Sequence, residues 1–217
     1  MRFRLLLAVL VCACSTLSAG EPTNLALLKQ EIRTYVDSGE YTKDIEAVVT
    51  EAKAWLEQRA AKPFDVAQGK LAIVFDLDET LLSNWPEYLR LDLGSERKAL
   101  AEWFESAQCP VIEPTRELYM LARKLGVHVI YLTGRPERFR AATERNLQAA
   151  GCGEFAEFVA KPNDWKETTG KYKTAERQRL AAARYVIIAN IGDQESDLAG
   201  GYAEKTFKLP NPFYISK

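Results

Sequence analysis

From residue 24 to about residue 60, apolar side chains recur every three or four positions, the spacing of one face of an α-helix. Leu25, Leu28, Ile32, Tyr35 and Val36 form a first stripe. Ser38-Gly39 interrupts it, and Ile45, Val48, Val49, Ala52, Trp55 and Leu56 form a second, closed by Pro63. The period then changes. Leu71 to Phe75 is a short apolar run ending in Asp76, the pattern of a buried strand. Residues 82–113 read as irregular and rich in aromatics, with Trp85, Tyr88, Trp103 and Phe104. Pro114 opens a helix carrying Leu118, Leu121, Ala122 and Leu125, and Gly126 ends it. Val127 to Leu132 predicts a second strand, Thr133-Gly134-Arg135 a turn, and Pro136 the start of a helix stopping at Gly151. A third strand is expected over 155–160, a helix over 172–183, and a fourth strand over 185–191 ending in Gly192-Asp193.

Helices alternating with buried strands predict an α/β fold with a mostly parallel sheet and right-handed crossovers. In such sheets ligands bind at the carboxyl ends of the strands. Asp76, Thr133 and Asp193 each follow a predicted strand, so three polar groups far apart in sequence should converge on one sheet edge.

Composition narrows the class. Of 217 residues, 29 are basic and 30 acidic, and 47% are hydrophobic, which excludes a disordered chain and leaves no basic footprint for a nucleic acid polymer. Residues 1–20 read as an export signal: Arg2 and Arg4 precede an apolar stretch, and small residues follow at Ser15, Ser18, Ala19 and Gly20. The uncharged run from Leu5 to Leu17 is too short to span a bilayer. Two routes of processing stay open. One is cleavage after Ala19 or Gly20, giving a secreted or periplasmic protein. The other is a lipoprotein signal, with Val11-Cys12-Ala13-Cys14 as an imperfect lipobox and Cys14 carrying the membrane anchor. Residues 21–217 are then a single domain in which 21–62 form a helical extension. Cys109 and Cys152 remain beyond the signal, either paired or as two buried thiols. His128, the one histidine, sits in an apolar strand and reads as structural, which leaves zinc sites and Ser-His-Asp triads unsupported.

The chemistry concentrates in Phe75-Asp76-Leu77-Asp78-Glu79-Thr80, together with Thr133-Gly134-Arg135 and Gly192-Asp193-Gln194 followed by Ser196-Asp197. This set resembles the haloacid-dehalogenase-like phosphohydrolases. With Tyr35-Val36-Asp37-Ser38-Gly39-Glu40-Tyr41 and the tail Phe207-Lys208-Leu209-Pro210-Asn211-Pro212, it is similar to their exported acid phosphatases: class C bacterial enzymes, plant acid phosphatases and vegetative storage proteins. The resemblance implies a Rossmann-like three-layer fold without a large cap, a Mg²⁺ cofactor and a small phosphomonoester substrate, with nucleoside monophosphates as candidates.

The residue types agree with that implication. A carboxylate at Asp76 can attack phosphorus and divide one hard hydrolysis into two easier steps. Asp78 would protonate the leaving alcohol and then deprotonate water, and crowding among carboxylates raises the pKa of one member. Asp76, Asp193 and Asp197 bring three negative charges that require a cation, and Mg²⁺ prefers oxygen ligands. Asp76 and Asp193 are the expected direct ligands, with the Asp78 backbone carbonyl added by the resemblance, while Asp197 orients them. Thr133 and the Gly134 amide, near the expected Pro136 helix, would hold phosphate oxygens. The resemblance makes Lys173, in Tyr172-Lys173-Thr174-Ala175-Glu176-Arg177 opening a helix, the first choice for the charge-neutralising lysine, ahead of Lys171 and Lys161. Arg135 either faces the site or pairs at the surface. Trp85 and Tyr88 either contact a substrate ring or pack their loop. Two rival readings are an exported storage or binding protein on the same scaffold, since plant storage relatives can lack the nucleophile, and a surface-attached recognition module. Asp76, Asp78, Thr133 and Asp193 are all present here.

Overall fold

A computed structural model describes residues 21–216; residues 1–20, expected to be an export signal, and with them Cys14 lie outside the described residues. No described helix is long and apolar enough to cross a membrane.

Helix α1 (Leu25–Asp37) starts where the Asn24 side chain accepts a hydrogen bond from the Ala26 amide at 2.9 Å. Gly39, at φ 83°, turns the chain into α2 (Glu40–Ala60), a conformation that glycine adopts without a Cβ clash. Tyr41, Ile45, Val49, Ala52 and Leu56 form the buried stripe of α2, and the Trp55 indole donates to the Ile188 carbonyl at 2.8 Å. Five strands follow: β1 (Lys70–Phe75), β2 (His128–Pro136), β3 (Glu157–Lys161), β4 (Tyr185–Gly192) and β5 (Thr206–Lys208). They form one sheet in the order β3-β2-β1-β4-β5, and all four pairings are parallel.

Strand alternation divides the core in two. Ile73, Phe75, Val129 and Tyr131 face one side, packed with α2 and with Leu118 and Ala122 of α5 (Glu113–Lys124). Ala72, Val74, Ile130 and Leu132 face the other, against Tyr172 and Leu180 of α7 (Thr169–Ala182). The three layers follow because a strand buried on both faces needs helices on both. Full burial of each large apolar side chain contributes about 1.5–3 kcal/mol. Cys109 and Cys152 are free, buried thiols, and His128 is exposed at the start of β2 beside the Tyr185 ring.

The structure corrects the sequence reading at four places. Residues 82–113 contain two helices, α3 (Trp85–Arg90) and α4 (Arg97–Ser106); α3 has six residues and buries only Glu87, and α4 buries only Ala99 and Phe104, too little to show an apolar period. Thr133-Gly134-Arg135 is no turn: β2 runs on to Pro136, which still pairs with Lys161. The residue before a proline is steered into extended backbone, and Pro136 itself is extended (ψ 147°). Consequently the next helix does not start at Pro136; a 3-10 turn over Glu137–Phe139 leads into α6 (Arg140–Ala149). Strand β5 was not foreseen, since only Phe207 of its three residues is buried. The last helix, α8 (Glu195–Leu198), is a single turn after β4.

Candidate active site

The carboxyl ends of β1, β2 and β4 and the first turns of α7 and α8 meet around a cavity of about 450 Å³. Asp76 lies on its floor, 6% exposed. Its amide donates to the Ile191 carbonyl at 2.9 Å, extending the β1–β4 ladder by one residue and bringing it beside Gly192-Asp193. The loop after it folds back on itself: the amides of Thr80, Leu81 and Leu82 all donate to the Leu77 carbonyl. Glu79 takes φ 54° at the bend, an uncommon conformation for a residue with a side chain. That return turn lets two carboxylates two residues apart, Asp76 and Asp78, line one cavity.

Lys173, in the first turns of α7 and 2% exposed, reaches between two acids. Its ammonium donates to Asp76 Oδ1 and, at 2.6 Å, to Asp197 Oδ1. Burial alone would lower the pKa of this lysine, but Asp76 and Asp197 outweigh it and hold the charge on. The second Asp197 oxygen accepts the Gln194 amide at 2.9 Å, so both oxygens of Asp197 are engaged. Asp197 folds back over Gly192, where a Cβ would lie 2.4 Å from the Asp197 Cβ; this close approach is why glycine precedes Asp193. Asp193 accepts from Gln194 Nε2 at 2.7 Å on one oxygen, and on the other from the Thr80 hydroxyl at 3.3 Å.

Among the described residues, Asp76, Asp193 and Asp197 form a group of buried carboxylates with one oxygen each within 4.8 Å of one another. Lys173 supplies one positive charge against three negative ones. Burial raises the pKa of Asp76, opposed by Lys173 and reinforced by Asp197 and Asp193. Burial and Asp197 likewise raise that of Asp193. A pocket of hard oxygen donors with surplus negative charge fits a divalent cation such as Mg²⁺.

Asp78 behaves differently. Burial pushes its pKa up, but the Arg135 guanidinium and Asn84 outweigh burial and leave it below the usual carboxylate range. Carboxylate crowding therefore raises Asp76 and Asp193 rather than Asp78. The Arg135 fork donates to Asp78 Oδ1 at 2.7 Å from Nη2 and at 3.0 Å from Nε, and to Oδ2 at 3.1 Å. Arg135 is thus a buried wall of the site, not a surface ion pair. Its pairing with a residue 57 positions away carries no sequence signal.

Thr133 Oγ1 accepts the Arg135 amide at 3.0 Å; the residue is fully buried near the end of β2 and, unlike its neighbours Gly134 and Arg135, is not among the residues lining the cavity. Gly134 lines the cavity and, with Arg135, has no partner on β3, because the register skips from Thr133 to Pro136. The anticipated α-helix start lies beyond the 3-10 turn, so the strand bulge presents this segment instead. Lys161 also lines the cavity; its amine donates to Thr169 Oγ1 at 3.4 Å. Lys171 is exposed and paired with Glu167.

The outer wall of the cavity is built from α3, α4 and the tail after β5. Tyr88 lines it, whereas Trp85 is not among its lining residues and packs on Phe213 at 5.3 Å between ring centroids. Phe213 and Tyr214, from the tail after β5, complete an aromatic side with Phe104. Gln194 ties the tail down, donating to the Tyr214 carbonyl at 3.2 Å and accepting from the Ser216 amide at 2.9 Å. Glu79 is fully buried, accepts from Tyr88 and Asn84, and has its pKa pushed up to about 8 by burial and by the Asp78 charge. Its partners Asn84 and Tyr88 stand five and nine residues further on, in a loop and short helix without an apolar period.

The family model described as HAD superfamily, subfamily IIIB (acid phosphatase) matches residues 5–217. Acid phosphatase 1 of Solanum lycopersicum is 34% identical over 189 residues, covering 84% of this chain and 72% of its own. Vegetative storage protein 1 of Arabidopsis thaliana is 34% identical over 183 residues, covering 82% of this chain and 66% of its own. The solved class C acid phosphatase from Bacillus anthracis superposes with a TM-score of 0.71 over 87% of this chain and 86% of that one, at 21% identity, a likeness of fold.

Proposed function

The chain belongs to the acid phosphatases of HAD subfamily IIIB, and we propose that it hydrolyses small phosphomonoesters through a phosphoryl-aspartate on Asp76. The observation that carries this reading is the setting of Asp76. It is a buried carboxylate on the floor of a cavity open to ligand, with the Lys173 ammonium against it and Asp193 alongside.

In this reading a carboxylate oxygen of Asp76 attacks phosphorus as the ester P–O bond breaks, and Asp78, which its Arg135 and Asn84 partners keep ionised until it takes up a proton from solvent, gives that proton to the departing alkoxide. Asp78 then takes a proton from water, whose oxygen attacks phosphorus; the P–O bond to Asp76 breaks, freeing phosphate and restoring the carboxylate. The Thr133 hydroxyl, the Gly134 amide and Lys173 hold the phosphoryl oxygens and offset their developing charge. Asp76, Asp193 and the Asp78 backbone carbonyl are the proposed Mg²⁺ ligands, and Asp197, with both oxygens engaged, positions Lys173 and the loop after β4. When bound, Mg²⁺ supplies charge neutralisation between the carboxylates and the phosphoryl group. Tyr88, Phe213 and Tyr214 give an aromatic surface suited to the base of a nucleoside monophosphate.

The second reading, a storage protein, draws on the likeness to the vegetative storage protein. One experiment addresses both. Hydrolysis of p-nitrophenyl phosphate by the purified protein is expected to fall by about 10⁴-fold or more in Asp76→Asn. A chelator is expected to abolish it and Mg²⁺ to restore it. Retained activity in Asp76→Asn removes the nucleophile assignment, and inactivity of the unaltered protein with Mg²⁺ favours storage.

A further inference from the structure

We propose that α4 belongs to the acid–base apparatus: its consecutive residues Trp103 and Phe104 are positioning residues that aim the Asp78 carboxylate through Asn84 and Arg135. The inference rests on the reading of Asp78 as proton donor to the leaving group.

Asp78 has two side-chain partners, the Arg135 fork and Asn84, whose Nδ2 donates to Asp78 Oδ1 at 2.8 Å. An amide can sit either way round, and the wrong way would set its oxygen against the Asp78 carboxylate; as placed, Nδ2 also donates to Glu79 Oε2 at 3.0 Å. The indole of Trp103 settles the choice. It can only donate, and it donates to Asn84 Oδ1 at 2.9 Å. The Cys109 thiol faces the same oxygen at 3.6 Å. A flipped Asn84 would therefore oppose N–H to N–H at Trp103 as well as oxygen to oxygen at Asp78.

Phe104 serves the other partner. Its ring lies under the Arg135 guanidinium, 4.1 Å from centroid to central carbon, and fixes the plane of the fork. The Thr143 hydroxyl accepts from the same arginine at 3.3 Å. Neighbouring residues on a helix point about 100° apart, which is how one turn of α4 can serve both partners. This helix lies outside the parallel sheet that places the other site residues, and Asp78 is the residue of the site on which its contacts converge.

The test exploits leaving-group basicity. A proton donor matters most when the departing alkoxide is a strong base and least for p-nitrophenolate. kcat/KM is the proper readout, because it ends at the step in which the ester bond breaks. Trp103→Phe keeps the ring and removes the N–H. It is expected to lower kcat/KM for an alkyl phosphate by about 10- to 100-fold and to change p-nitrophenyl phosphate far less. Phe104→Leu should give the same skew through Arg135, and serves independently if the tryptophan variant fails to fold. Asp78→Asn is the reference and should show the skew most strongly. If Asp78→Asn shows it while both α4 variants lower the two substrates equally or not at all, α4 is packing only and the inference is overturned. A flat Asp78→Asn removes the proton-donor reading and the inference with it.

Discussion

The floor and the outer wall of the cavity are built on different principles. On the floor, Asp76, Lys173, Asp193 and Asp197 are buried charges that satisfy one another, each placed by a strand end or a helix start. On the wall, Tyr88 from a short helix meets Phe213 and Tyr214 of the tail ring to ring, while Phe104 of α4 lies against Phe139 and the Arg135 guanidinium. Removing one buried charge strands its partners in a low-dielectric interior, so the floor fails as a unit. Aromatic contacts are many and individually small, so the wall should yield by degrees. In the proposed function the floor carries the phosphoryl chemistry, and the Tyr88–Phe213–Tyr214 side of the wall contacts the substrate. Gln194 links them, with its amide group on Asp193 and on the tail backbone at once.

The contrast can be broken by variants on each side. Lys173→Met should have the largest effect of those proposed for this comparison. It removes the cation between Asp76 and Asp197, and kcat is expected to fall by about 10²- to 10³-fold. In chelator-treated protein the same change should cost about 3–5 kcal/mol in urea unfolding, because two buried carboxylates lose their partner. A loss no larger than that of a wall variant would deny the floor its unity. Gly192→Ala comes next. Its Cβ would collide with Asp197, and a destabilisation of about 1–3 kcal/mol should accompany reduced activity. Unchanged unfolding would show that the loop carrying Asp197 gives way freely. Phe213→Ala should be mildest. KM for a nucleoside monophosphate is expected to rise by up to about tenfold, with little change for an alkyl phosphate of similar charge. An equal rise for both would move Phe213 from substrate recognition to simple packing against Trp85 and Tyr88.

The parts legible in the sequence share a physical property: they are local. Apolar runs at 71–75, 127–132 and 185–191 marked three strands, because both faces of each must be buried. Since ligand sites in such sheets lie past the carboxyl ends, Asp76, Thr133 and Asp193 could be placed on one edge before any coordinates. Lys173 could be ranked above Lys171 and Lys161 because the segment opening its helix resembles the family, and it is the one that lies against Asp76. The helices within 82–113 escaped notice because α3 has six residues and its buried side chain is Glu87, not an apolar stripe. The proline at 136 read as a helix start because its extended pairing with Lys161 depends on a neighbouring strand.

Chain order and hydrophobic period by themselves determined the layered fold and which carboxylates follow β1 and β4. Only the tertiary structure decided which acid is paired with which base. Asp78 sits two residues from Asp76, yet it is held by Arg135 and Asn84 while Asp76 is held by Lys173. Periodicity records burial against the chain's own sheet, whereas charge pairing depends on distances across it, and those exist only once distant segments have packed.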